Sequence, residues 1–198
     1  MLREVAPGLW FWQAPHPAWK PGAEPDSPAD WPELVGCVAY APPERLVVLV
    51  DPQVPEELVP ELDALVDGRP VAVLTTMRFH GRSRAAVAER YGAALISHAA
   101  PHPAGVARIP IEGMDESMVW LEAPRALIPG DRLLGDGAGG LRPCPPSWLG
   151  YLPGPPGEEE LRAALAPLLE LPAELVLTSH GEPVLRDGAA AIRAALRA

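Results

Sequence analysis

Hydrophobic residues along this chain fall into short runs bounded by proline, glycine and acidic turns, a spacing that predicts more strand than helix. Gly8-Leu9-Trp10-Phe11-Trp12 predicts a first strand, and the proline-laden stretch 14–32 an extended loop. Apolar runs at 35–40 and 46–50 flank a turn at 41–45, which predicts a hairpin closed by Asp51-Pro52. Pro55, Glu56 and Glu57 then open a helix through Val66, since proline is tolerated in a first helical turn and acids favour its positive end. Residues 70–76 are almost unbroken apolar sequence, the pattern of a strand covered on both faces. A helix over 83–91 follows, with Ser83 as its N-cap and Gly92 as its stop, and then a short strand at 94–97.

The second half carries fewer helical signals. Runs at 106–111, 118–121 and 126–128 predict strands. The Gly/Pro-rich segment 135–157, with Trp148 and Tyr151, predicts a loop. A helix over 158–169, a strand over 174–178 and an alanine-rich helix from Gly188 complete the order. Two strand-rich halves, each with helices, predict an α/β (α+β) architecture: an αββα sandwich of two mixed sheets with helices on the outer faces. No composition shift divides residues 1–198, so one domain is expected.

Charge narrows the partners. The formal net charge is −10, and an acidic surface repels phosphate backbones, so nucleic acid is not expected. The longest apolar run, 46–50, is far too short to span a bilayer, and no membrane partner is expected. The N-terminus lacks the apolar core and cleavage pattern of a signal peptide, so the expected location is cytoplasmic. Cys37 and Cys144 match no zinc or redox spacing. Cys37 is expected in the core, and Cys144 in a loop as a free thiol.

Three candidate ligands occupy equivalent places. His80, Asp131 and His180 each follow the carboxyl end of an apolar run and each has a glycine beside it. Sheet-based sites gather at such loop ends. Two imidazoles and a carboxylate suit zinc or non-haem iron with coordination positions left open.

The residues around these positions resemble the metallo-β-lactamase superfamily. Leu74 to Ser83, reading LTTMRFHGRS, followed by Ala88-Glu89-Arg90-Tyr91-Gly92-Ala93, is similar to the strand-to-helix turn that carries Thr-His-x-His-x-Asp-His in that family. Arg125 to Gly135 resembles the family's Gly-Asp segment, Leu177 to Pro183 its Ser-His-Gly segment, and Val48 to Pro52 its second-strand aspartate turn. These anchors span nearly the whole chain in family order. The resemblance implies the αββα fold, and a hydrolase centre in which Asp131 and His180 match by type and place.

The departures shape the functional expectation. Aligned without gaps, the family's four ligand positions in the first motif become Thr76, Arg78, His80 and Gly81, and only His80 can bind a metal. No histidine lies between Ile111 and Ser117, where the family has another. The dinuclear centre is therefore expected to be lost, leaving at most one metal on His80, Asp131 and His180. Arg78 opposes even that, because a divalent ion ~4 Å from a guanidinium is disfavoured by about 8 kcal/mol at an effective dielectric of about 20. The expectation is that Arg78 replaces a metal and pairs with Asp131.

The expected function is thus a metal-free relative binding a small ligand in a cleft of Thr76, Arg78, His80, Asp131 and His180. Arg78, Arg82 and Arg84 favour an anionic ligand. No cofactor is expected; the alternative is a hydrolase with one zinc or iron on His80, Asp131 and His180, and a third reading is a structural or interaction role. His16, His98 and His102 sit beside prolines and are expected on surface loops. Asp115 and Glu116 are turn residues or substitute oxygen ligands. Trp148 and Tyr151 are read as a lid over the site or as a hydrophobic plug.

Overall fold

The computed structural model describes all residues except Asp26, Pro43, Glu44, Arg45, His98, Ala99, Asp115 and Ala198. Most of the hairpin turn expected at 41–45, together with His98 and Asp115, lies outside the described residues. A six-stranded sheet runs in sequence order through β1 (Arg3–Ala6), β2 (Leu9–Pro15), β3 (Leu34–Tyr40), β4 (Val47–Val50), β5 (Val71–Leu74) and β6 (Ala94–Leu95). Neighbours from β1 to β4 pair antiparallel, and β4, β5 and β6 pair parallel. The parallel connections pass through α1 (Val59–Val66) and α2 (Arg84–Tyr91).

The second sheet contains β7 (Val106–Pro110), β8 (Ser117–Leu121), β9 (Ala126–Ile128) and, later in the chain, β12 (Leu175–Val176). Its order is β12-β9-β8-β7, with β12 parallel to β9 and the other pairs antiparallel. β10 (Leu133–Gly135) and β11 (Leu141–Pro143) form a separate antiparallel hairpin. The outer helices here are α3 (Glu158–Leu165), extended by a 3-10 turn over Ala166–Glu170, and α4 (Gly188–Arg197).

Period-two alternation sorts each strand between two cores. Leu9, Phe11, Val38, Tyr40, Val48, Val50, Ala72 and Leu74 face the other sheet, meeting Val119, Leu121, Ala126, Ile128 and Leu177. Their neighbours Trp12, Cys37, Val47, Leu49, Val71 and Val73 face outward onto Leu58, Leu62, Val66 and Val87. On the far side Met118 and Leu127 pack on Leu161, Leu165, Ile192 and Ala195. The layers are therefore helix, sheet, sheet, helix, as the sequence predicts. Among the described residues no helix is long and apolar enough to cross a membrane.

Several local expectations are corrected. The first strand continues to Pro15, and an additional strand, β1, precedes it. Segment 135–157, expected as a loop, contains β11 and a 3-10 turn over Pro146–Leu149. Ser83 is the N-cap residue of α2 as expected, but its side chain makes no capping bond; its Oγ instead accepts a hydrogen bond from Val54 N at 2.9 Å, tying the helix start to the β4 turn. The strand expected at 174–178 is two residues long. Cys37 is buried as expected, and Cys144, expected in a loop as a free thiol, is buried as well; both are free thiols.

Candidate metal centre

Four strand ends converge at one edge of the sandwich. β4 runs into Asp51, β5 into Thr76 and the 3-10 turn Arg78–Gly81, β9 into Asp131, and β12 into His180. Gly130 sets the approach of the β9 turn. It adopts φ 59°, and a Cβ there would come within 2.9 Å of Thr76 Oγ1, so only glycine fits both the backbone conformation and the space.

Asp51 is the foundation of the site. It is buried; its Oδ1 accepts from Thr76 N at 2.9 Å and its Oδ2 from Thr76 Oγ1 at 2.6 Å. The same Oδ2 lies 2.8 Å from His80 Nδ1, which is also 3.0 Å from Thr76 Oγ1. The carboxylate therefore accepts a hydrogen bond from His80 Nδ1–H and aims Nε2 at the cleft. This is the support that metal-binding histidines usually have, an outer carboxylate fixing tautomer and ring orientation.

Nε2 of His80 stands 3.1 Å from Asp131 Oδ1, and Nε2 of His180 stands 3.4 Å from the same oxygen. Ligand atoms of all three residues lie within 4.8 Å of one another. Yet Asp131 Oδ1 is buried and accepts no aligned hydrogen bond. The atoms are close but do not point at each other. Two ligands on one tetrahedral zinc, with bonds of ~2.0–2.1 Å, stand about 3.3 Å apart and aim at a common point. The donor set and its spacing fit a single ion. His180 Nδ1 is also without a partner, so this histidine lacks the outer support His80 has.

Electrostatics separate the two imidazoles. Burial works against a charged His80, but Asp131 and Asp51 outweigh it and push its pKa up to about 9. His180 is pushed down to about 4, by burial first, against the attraction of Asp131 and with the repulsion of His80 and Arg82. Burial would raise the carboxyl pKa of Asp131 and of Asp51, and the facing imidazoles hold both below the usual range instead.

The expected pairing of Arg78 with Asp131 is not formed. Arg78 is exposed, and its guanidinium stacks 4.7 Å from the Phe79 ring centroid and 5.1 Å from that of Tyr151. Phe79 and Tyr151 also meet edge to face at 5.0 Å. Aromatic faces attract a guanidinium, and they hold Arg78 at the cleft mouth. Thr76, expected in the cleft, lies beneath it as a buried partner of Asp51. Glu116 is neither a turn residue nor a ligand: it forms a buried two-point ion pair with Arg132, which also donates to Cys144 Sγ at 3.1 Å and to Tyr151 Oη at 2.8 Å.

Above His80, Asp131 and His180 opens a cleft of about 630 Å³, whose walls include Trp31, Val35, Met77, Phe79, Trp148 and Tyr151. Trp148 packs edge-on to His180 at 5.3 Å and Trp31 at 6.0 Å. His16, expected on the surface, also lines the cleft and packs against Trp31, and burial followed by Arg82 and His80 lowers its pKa. His102 stays on a half-buried loop away from the cleft. Sequence reasoning missed His16, Trp31 and the supporting role of Asp51. The first two sit in the loop before β3, where no periodicity predicts a direction.

No family profile matches this chain, and no curated protein matches it in sequence. Solved structures do match. A crystal structure of VMB-1 at pH 5.5 aligns over 98% of this chain and 97% of its own, with TM-score 0.57 and 14% identity. A crystal structure of DIM-1 metallo-β-lactamase exposed to ceftazidime aligns over 100% and 96%, with TM-score 0.65 and 13% identity. Likeness of this extent at such low identity concerns the backbone alone: the chain has the metallo-β-lactamase fold.

Proposed function

We propose that this protein is a hydrolase with one metal ion held by His80, Asp131 and His180. The observation that carries the reading is the placement of Asp131 Oδ1, 3.1 and 3.4 Å from two imidazole nitrogens with no aligned hydrogen bond. The objection drawn from Arg78 lapses, because that guanidinium lies on aromatic rings rather than on Asp131. A zinc or iron bound there supplies Lewis acidity toward a substrate oxygen and lowers the pKa of water to about 7. Asp51 fixes His80, Trp148 and Trp31 exclude water from the face of His180, and the apolar walls hold the substrate's body. Metal analysis after dialysis tests the proposal: one zinc or iron per chain is expected, lost in Asp131→Ala and His180→Ala together with hydrolysis of aryl ester probes. A chain that takes up no ion when refolded with zinc sinks it.

One observation favours a second reading, a metal-free cleft that binds a small ligand. With its pKa near 9, His80 is an imidazolium between two carboxylates at neutral pH, and a proton then stands where the ion would. Misalignment of the Nε2 to Oδ1 approach counts against it, since a proton bridge gains most from a straight line.

A further inference from the structure

Arg82 has three features that the metal proposal leaves unused. It lines the cleft. Its backbone takes φ 37°, ψ −123°, a region that costs a non-glycine residue energy and persists only where the surroundings enforce it, often at functional sites. Its guanidinium is also only half engaged. Nη1 donates to the carbonyls of Gly36 and Asp51, both at 2.8 Å. Nε is buried without a partner, and among the described residues no hydrogen bond reaches Nη2 and no carboxylate pairs with the group. Arg132 is paired with Glu116, Arg90 with Asp63 and Arg125 with Glu174, and Arg78 lies exposed on Phe79 and Tyr151 at the mouth of the cleft.

The unused edge is Nε with Nη2, two parallel N–H groups that match the two oxygens of a carboxylate. The cleft that Arg82 lines also has flat aromatic surface from Trp31, Phe79, Trp148 and Tyr151, and Trp148 Nε1 and Ser147 Oγ are further buried polar atoms without partners. We infer that Arg82 is the anion-recognising residue of this cleft and that the molecule it takes up is a compact aromatic compound bearing a carboxylate. A single guanidinium edge offers the two bonds that a carboxylate accepts, whereas a phosphate dianion beside Asp131 calls for more positive charge than Arg82 brings. The inference rests on the proposal that substrate sits in this cleft, and adds its chemistry.

Calorimetric titration with 2-naphthoate, the neutral 2-naphthamide and 2-naphthyl phosphate tests it, on zinc-loaded and on chelator-treated protein. Naphthoate is expected to bind about tenfold more tightly than the amide in both forms, and more tightly than the phosphate. Arg82→Gln should bring acid and amide within about twofold of each other, and Arg84→Gln should leave the preference intact. A preference that survives Arg82→Gln, a phosphate that binds best, or no binding of naphthoate overturns the inference. So does a preference that vanishes from the wild type on chelation, which assigns the anion to the metal and leaves the hydrolase proposal standing. Conversely, an intact preference in a protein that takes up no zinc sinks only the metal. Should Arg82→Gln fail to fold, a crystal structure of the wild type with 6-bromo-2-naphthoate decides: the carboxylate lies on Nε and Nη2 of Arg82, or the inference is wrong.

Discussion

A buried imidazole with a carboxylate on each side gives His80 a pH signature, and His180 has the opposite one. In the metal-free protein His80 keeps its proton up to about pH 9, whereas the unfolded chain releases it near 6.5. Stability therefore falls as pH rises through that window, by at most about 1.4 kcal/mol per pH unit. His180 refuses its proton until about pH 4, while the unfolded chain takes it up near 6.5, so stability also falls as pH drops through that window. Asp51 and Asp131, held below the carboxyl value of 3.8, extend the acid limb downward. Thermal melts of chelated protein should peak near pH 6.5; His80→Gln should flatten the alkaline side and His180→Gln the upper part of the acid side. A monotonic profile contradicts this account. At this scale the grouping of His80, Asp131 and His180 was legible in sequence, because each closes an apolar run beside glycine. The direction of Arg78 was not, because Phe79 and Tyr151 set it, and Tyr151 arrives from the far half of the chain.

Between elements, the contact that places His180 is a backbone approach of β3 to the turn after β12. Gly36 N donates to Ser179 O at 2.8 Å, and a Cβ on Gly36 would lie 2.0 Å from Thr178 O. This pairing explains why β12 is shorter than its apolar run predicts: Leu177 N still donates to Leu127 O of β9 at 2.8 Å, and beyond it the chain turns toward β3 to present His180. The existence of β3 was readable from its apolar run, whereas the partner of residues 178–180 was not, since a strand's sequence does not name the edge it will meet. Gly36→Ala forces a clash with backbone, which no rotamer relieves. It is expected to cost at least the upper end of the range for overpacked cores, about 3 kcal/mol, read as a lower urea midpoint, and to weaken zinc retention because His180 shifts. A variant with wild-type midpoint and zinc content contradicts that placement.

Across the whole molecule, the three candidate ligands come from both layers of the sandwich. His80 follows β5 of the six-stranded sheet, whereas Asp131 and His180 follow β9 and β12 of the other. The αββα order was legible because the chain falls into two strand-rich halves, each with its own helices. Closure of the site was not, since it depends on how the two sheets rest on each other. An ion bound across that boundary prefers the folded chain, as the unfolded chain does not gather these side chains. Zinc at about a thousand times its dissociation constant stabilises by about 4 kcal/mol. In a protein of this size each kcal/mol moves the melting temperature by about 2–4 °C, so calorimetric scans with zinc against chelator should differ by about 10 °C. His180→Ala, which removes one donor of the three, should lose most of that difference while melting near the chelated wild type. If zinc leaves the wild-type melt unmoved, the proton on His80 stands in the ion's place, and the metal-free reading takes over.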